Sequence, residues 1–159
     1  MNCFLKKTNS IKIKTFRTYL LQITLRKVQK NDWDFILELR NKFYHFFYKQ
    51  KKPIPKKEHY EYMEKQRQKS NFHQWIIMYD KKEVGYVRIL DNDVGIMVDD
   101  KFQNKGIASK ALNLAENEAA KLGIKKLIAL IAVDNDSSKK IFEKNNYLLK
   151  QFWYEKDIV

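Results

Sequence analysis

Gln103-Asn104-Lys105-Gly106-Ile107-Ala108 is the stretch on which the reading of this chain turns. Before it runs Val94-Gly95-Ile96-Met97-Val98, short, apolar and strand-like. After it, Ile107, Ala111, Leu112, Ala115, Ala119 and Leu122 recur on one face of a helix that Gly123 stops. Strand, basic glycine-bearing loop and helix N-terminus in that order suit a phosphate. Unbonded N–H groups and the positive end of the helix dipole converge there, and Gly106 lets an anion approach the backbone.

Working outward, the rest of the chain supplies one α/β domain. Ile23-Thr24-Leu25-Arg26-Lys27-Val28 alternates like a strand. Asn31 or Asp32 caps a helix reaching about Phe47, with Trp33, Ile36, Leu37 and Arg40 at helical spacing. Pro53-Ile54-Pro55 breaks it, and a second helix covers about Lys57 to Gln68. Trp75–Tyr79 and Glu83–Ile89 read as a hairpin across Asp80-Lys81-Lys82, and Asp91-Asn92-Asp93 turns the chain into Val94–Val98. Leu127–Val133 is a continuous apolar run, the pattern of a strand covered on both faces. A short helix from Ser137 to about Asn145 and a last strand, Leu148–Tyr154, complete it. The predicted order is β-α-α-β-β-β-α-β-α-β, a mixed central sheet flanked by helices.

Composition narrows the function. No apolar run approaches the ~20 residues of a membrane-spanning helix. The single cysteine, Cys3, excludes an internal disulfide framework and a cysteine-based zinc cluster, so no metal is expected and a reducing, cytoplasmic setting is the default. The net charge of +13 invites a nucleic-acid reading, but its distribution weakens it. Residues 1–30 hold eight basic side chains and no acid, leaving 24 bases against 19 acids in the remainder. Residues 1–22 read as a basic N-terminal extension and 23–159 as the single domain.

The loop and its setting resemble the GNAT superfamily of acyl-CoA-dependent N-acetyltransferases. Gln103–Ala108 matches that family's Gln/Arg-x-x-Gly-x-Gly/Ala pyrophosphate motif throughout. Asn135, Ser138 and Phe142 through Tyr147 are similar to its downstream Asn-x-x-Ser/Ala-x-x-x-Tyr-x-x-x-Gly-Phe element. The resemblance implies a GNAT-like sheet with acetyl-CoA as co-substrate. Gln103, Asn104, Lys105, Gly106, Ile107 and Ala108, with Ser109 in the first helical turn, would hold the pyrophosphate. Met97 and Val98 would offer backbone edges to the pantetheine arm and a donor to the thioester oxygen, and Asn135 would meet the pantetheine amides or fix its own loop as an Asx turn. Phe142 joins the cofactor residues at a position where many members carry an acid tyrosine. It cannot donate a proton, which leaves water, another phenol such as Tyr147 or Tyr154, or loss of catalysis. A thiolate of pKa near ~8.5 leaves without a dedicated acid, only more slowly.

An amine attacks only when neutral, so a general base is expected; Asp93 is the first candidate and Glu83 the second. On the acceptor side, Leu39-Arg40-Asn41 followed by Glu58-His59 is similar to the Trp-Arg-Asn … Glu-His pattern of a subgroup acting on nucleotide-linked 4-amino sugars, with Leu39 replacing the Trp. Arg40, Asn41 and His59 are therefore the substrate-binding candidates, and some of Phe43, Tyr44, Phe46, Phe47 and Tyr48 would line the cleft. Three functions compete. The first is acetylation of a primary amine on a small acceptor, with a nucleotide-linked amino sugar as its finer form, by a monomer or homodimer. The second is acetylation of a protein N-terminus or lysine, and the third is non-enzymatic nucleic-acid binding through the basic extension.

Overall fold

Alternation decides which residues share a face, and four strands use it to build one antiparallel sheet. The protein is described by a computed structural model covering residues 22–48 and 50–158, so the expected extension over 1–22 lies almost wholly outside the described residues. The strands are β1 (Ile23–Lys27), β2 (Phe72–Tyr79), β3 (Lys82–Leu90) and β4 (Asp93–Val98), in the order β1-β2-β3-β4. The hairpin and meander form as the sequence predicts. One irregularity lies between Ile77 and Met78, opposite Gly85 and Glu83. Val84 is the extra residue of this bulge, and its inserted position turns its side chain into the core.

Helices cover both faces. Helix α3 (Ile107–Lys121) lays Ile107, Ala111, Leu112, Ala115 and Ala119 on Trp75, Ile77, Val87, Ile89, Val94 and Val98. On the other face, α1 (Trp33–Lys42) and α2 (Lys56–Gln66) pack Trp33, Ile36, Leu39 and Met63 against Ile76, Tyr86 and Met97. Helix α1 follows a capping box in which Gln29 and Asp32 exchange bonds. It ends at Lys42 rather than near Phe47, and Tyr44–Phe46 form a 3-10 turn. Of the aromatics in 43–48, only Phe43 and Phe47 pack on the core, so a continued helix would have no second apolar face to bury.

The C-terminal third departs from expectation. Residues 127–133 make no continuous strand: a single parallel bridge joins Ile128 to Asp93, with Val94 N–H bonded to the Ile128 carbonyl at 2.9 Å. Leu127, Ala129 and Ile131 pack on the core while Ile128 is 37% and Leu130 74% exposed, so residues 127–131 are covered on one face only. Leu148–Tyr154 form no strand either and are exposed. Apolar continuity specifies an extended backbone, but pairing needs a neighbour in register, and among the described residues none is in place beyond Ile128. Between these segments lies α4 (Asp136–Lys144).

Candidate active site

The quoted loop takes its shape from two left-handed residues, Asn104 at φ +59° and Gly106 at φ +73°. Gly106 is the N-cap of α3, and the first intrahelical bond runs from Lys110 N–H to its carbonyl at 3.1 Å. The N–H groups of Ile107, Ala108 and Ser109 thus have no helical partner, and a Cβ at Gly106 would meet nothing within 4 Å. The loop is tied at both ends. Gln103 Nε2 donates to the Val98 carbonyl at 2.9 Å, and Lys105 Nζ donates to the Lys101 carbonyl at 3.2 Å while lying over the Phe102 ring. Lys42 at the end of α1 holds Asp100 at 2.5 Å and Asp99 at 3.4 Å. The Lys42 bond is the main cause of Asp100's depressed carboxyl value of about 2.

Next to the loop, β4 has an open edge. Val94 N–H points away from β3, toward Ile128, and Asp99 N–H points back to the Val84 carbonyl. Strand alternation then sends the N–H and carbonyl groups of Ile96 and Val98 outward and those of Gly95 and Met97 toward β3. Beyond the Asp93–Ile128 bridge nothing among the described residues pairs with the backbone N–H groups of Ile96 and Val98. An extended ligand can add there as a strand would. Val98 thus turns its backbone N–H and carbonyl to the open edge, whereas Met97 turns its backbone inward and its side chain into the α1–α2 face.

Four downstream residues have structural duties. Asn135 caps α4, its Oδ1 accepting from Ser138 N–H at 3.0 Å, which leaves its amide donors for a ligand. Ser109 Oγ donates to Asn145 Oδ1 at 3.0 Å, tying the start of α3 to the end of α4. Phe142 is buried in the core against Tyr147, ring centroids 4.9 Å apart. Tyr147 lies beside Glu116, and burial first, then that carboxylate, pushes its phenol well above the ordinary value. Glu116 stands nine residues into α3, about 13 Å along the helix from the loop. An acid role for Tyr147 has no support in this geometry.

The acceptor-side candidates separate. His59 is buried, 2% exposed, and its Nε2 lies 2.9 Å from the Trp33 carbonyl, so it donates there and joins α2 to α1. Burial, chiefly, holds its pKa below the ordinary value. Asn41 is equally committed: Nδ2 donates to the Ile54 carbonyl at 2.9 Å and Oδ1 accepts from Ile54 N–H at 2.7 Å, pinning the proline segment. The polar atoms of both side chains are thus engaged in bonds that hold helices and the proline segment together. Arg40 is less committed. Its guanidinium stacks on Phe47 at 4.6 Å, and Nε donates to Gln50 Oε1 at 3.1 Å. No carboxylate pairs with it among the described residues. Burial and the nearby Arg88 guanidinium lower its pKa.

Arg88 is the group the sequence did not single out. It donates to Asp93 Oδ2 at 2.8 Å and to the Asp93 carbonyl at 3.0 Å, and it lies across Gly95, where a Cβ would approach it to 3.4 Å. Alternation along β3 could have placed it beside Tyr86 on the α1–α2 face. Asp93 therefore sits at the vertex where β4 and residues 127–133 part, oriented by Arg88. Glu83 accepts from Arg26 at 2.7 Å at the far end of β3, away from that vertex. No group of three metal-ligating side chains occurs among the described residues, and none of their helices is long and apolar enough to cross a membrane.

Comparison with known proteins gives this arrangement its family. Residues 22–147 match the family described as an acetyltransferase (GNAT) domain. An uncharacterised protein of Methanocaldococcus jannaschii is 30% identical over 134 residues, 77% of this chain; the chain spans 27% of that relative's length. A solved domain from the same organism is 26% identical with a TM-score of 0.76, covering 85% of this chain and 94% of that one. Spermidine N-acetyltransferase from Vibrio cholerae, solved with CoA and spermine, is 20% identical with a TM-score of 0.76, covering 87% and 88%. The chain belongs to the GNAT family of acetyltransferases.

Proposed function

We propose that this protein transfers an acetyl group from acetyl-CoA to a primary amine of a small acceptor, with a nucleotide-linked amino sugar as the finer reading. The observation that carries the first part is the conjunction of unbonded N–H groups at Ile107–Ser109 with the open β4 edge at Ile96 and Val98. Together they fit a diphosphate followed by an amide-bearing arm. Acetyl-CoA supplies an activated acyl carbon there. The acceptor nitrogen forms its bond to that carbon, the carbon–sulfur bond breaks, and CoA leaves as a thiolate that takes a proton from solvent.

Residues of the chain do the rest. In this reading the outward Val98 N–H stabilises the oxygen on which charge develops. Asp93, at the vertex and with Oδ1 free of donors among the described residues, is assigned to take the proton from the amine, directly or through water. The Vibrio neighbour acts on a polyamine. Here the Arg40 guanidinium, paired with no carboxylate among the described residues, opposes a polycation, which supports an acceptor of other charge. Calorimetry with acetyl-CoA tests the reading. Binding is expected, and a Kd above roughly 300 μM, weaker than about 5 kcal/mol, would reject it.

A further inference from the structure

Residues 148–158 have no duty in the transfer step. Every one of them is exposed, and none of their backbone N–H or carbonyl groups bonds to backbone elsewhere among the described residues. Their composition is nevertheless that of an interior. Leu148, Leu149, Phe152, Trp153, Tyr154 and Ile158 are each at least 70% exposed. In extended backbone Leu148, Phe152 and Tyr154 fall on one face, and Leu149 and Trp153 on the other. Apolar side chains on both faces suit a strand with neighbours, and an unpaired apolar strand is a template for pairing with another chain. Among the described residues the one ring partner of this segment is Tyr48, between α1 and α2, with its centroid 6.0 Å from that of Trp153.

A second stretch has the complementary lack. The N–H groups of residues 129–133 have no backbone acceptor among the described residues, and Leu130 and Val133 are exposed. Each chain therefore carries one unpaired apolar segment and one unpaired edge, and no backbone bond joins the two within the chain. Two copies satisfy both needs at once, which closes the arrangement about a two-fold axis. The area is sufficient. The three aromatic rings offer on the order of 450 Å² per chain. Leu130, Val133 and the aliphatic side chains of the segment add about as much again, which meets the roughly 800 Å² per partner of a stable interface. Charge points the same way. In a chain of net charge +13, Lys150 and Lys156 are balanced by Glu155 and Asp157, so the segment favours no anionic partner and does not repel a copy of itself.

We infer that this surface is the interface with a second copy of the chain, residues 148–154 of each adding to residues 129–133 of the other on the edge turned away from β4. The partner's segment then braces the stretch that faces the open β4 edge, whose backbone tie to the sheet among the described residues is the bridge at Ile128. Sedimentation velocity on the full chain should show twice the single-chain mass at about 100 μM. Trp153→Glu and Leu130→Glu change side chains that are exposed in one chain, so each should weaken the dimer at least tenfold with the circular dichroism unchanged. Hydrogen exchange supplies the contacts. Amides of 129–133 and 148–154 should be protected together in the dimer and exchange freely in single-chain Trp153→Glu. The proposal is overturned if the chain is single at that concentration, if both glutamate variants remain dimeric, or if those amides stay protected in the single-chain variant, which would pair them within one molecule. Binding of the single chain to phosphatidylcholine–phosphatidylserine vesicles would overturn it equally. CoA enters none of these measurements, so this inference and the acetyl-transfer reading fail independently.

Discussion

Gly106 holds a left-handed φ of +73° with open space where a Cβ would stand, so its substitution tests conformation without steric interference. Gly106→Ala should cost about 1 kcal/mol from the backbone alone and weaken acetyl-CoA, read together by urea denaturation and calorimetry. Phe142 gives the contrary case. Restoring the family's tyrosine there looks like a repair when read from the sequence. Because the ring is buried against Tyr147, however, the new hydroxyl has no water to reach. Phe142→Tyr should lose about 1–2 kcal/mol of stability and gain no turnover. A rise in kcat would mean the position does reach the thiolate.

Elements depend on closer fits. A Cβ at Gly85 would fall on the Met97 carbonyl oxygen, far inside contact distance, so β3 and β4 could not keep their spacing. Gly85→Ala should therefore cost about 1–3 kcal/mol in a chemical denaturation series, more than Gly106→Ala despite the ordinary φ. The order of these two losses is the check. The sequence made the elements legible where one period dominated, in the β2–β4 meander and along α3. It misjudged residues 127–133 and 148–154, where apolar content implied pairing that only a partner strand can supply. The site divides in the same way. Gln103–Ala108 acts through backbone that a motif fixes, so it could be read directly. His59 and Asn41 act through side chains whose partners, Trp33 and Ile54, are set by helix packing, and local spacing could not distinguish a ligand contact from a structural bond.

For the whole molecule, two buried ionisable groups set the response to acid. Burial raises the Asp32 carboxyl, but the bidentate Arg26 bonds at 2.9 Å and the Gln29 N–H outweigh it, leaving a net value below 3.8. His59 is depressed below 6.5 by burial. The unfolded chain takes a proton on His59 before the folded chain does. Its contribution is therefore complete above pH 6.5 and declines below it. That of Asp32 is complete above pH 3.8 and is lost as pH falls through its lowered folded value. Urea midpoints should fall in two stages, one beginning near pH 6.5 and one below pH 4, and a flat profile from pH 7 to 5 would remove His59 from the account. The alternation along β4 also makes the strand its own internal clock. Gly95 and Met97 amides, bonded to β3, should exchange slowly with deuterium at all times, while Ile96 and Val98 amides exchange quickly until CoA occupies the gap. Occupancy would then appear as every second amide of one strand falling silent, a signature that general stiffening of the protein cannot imitate.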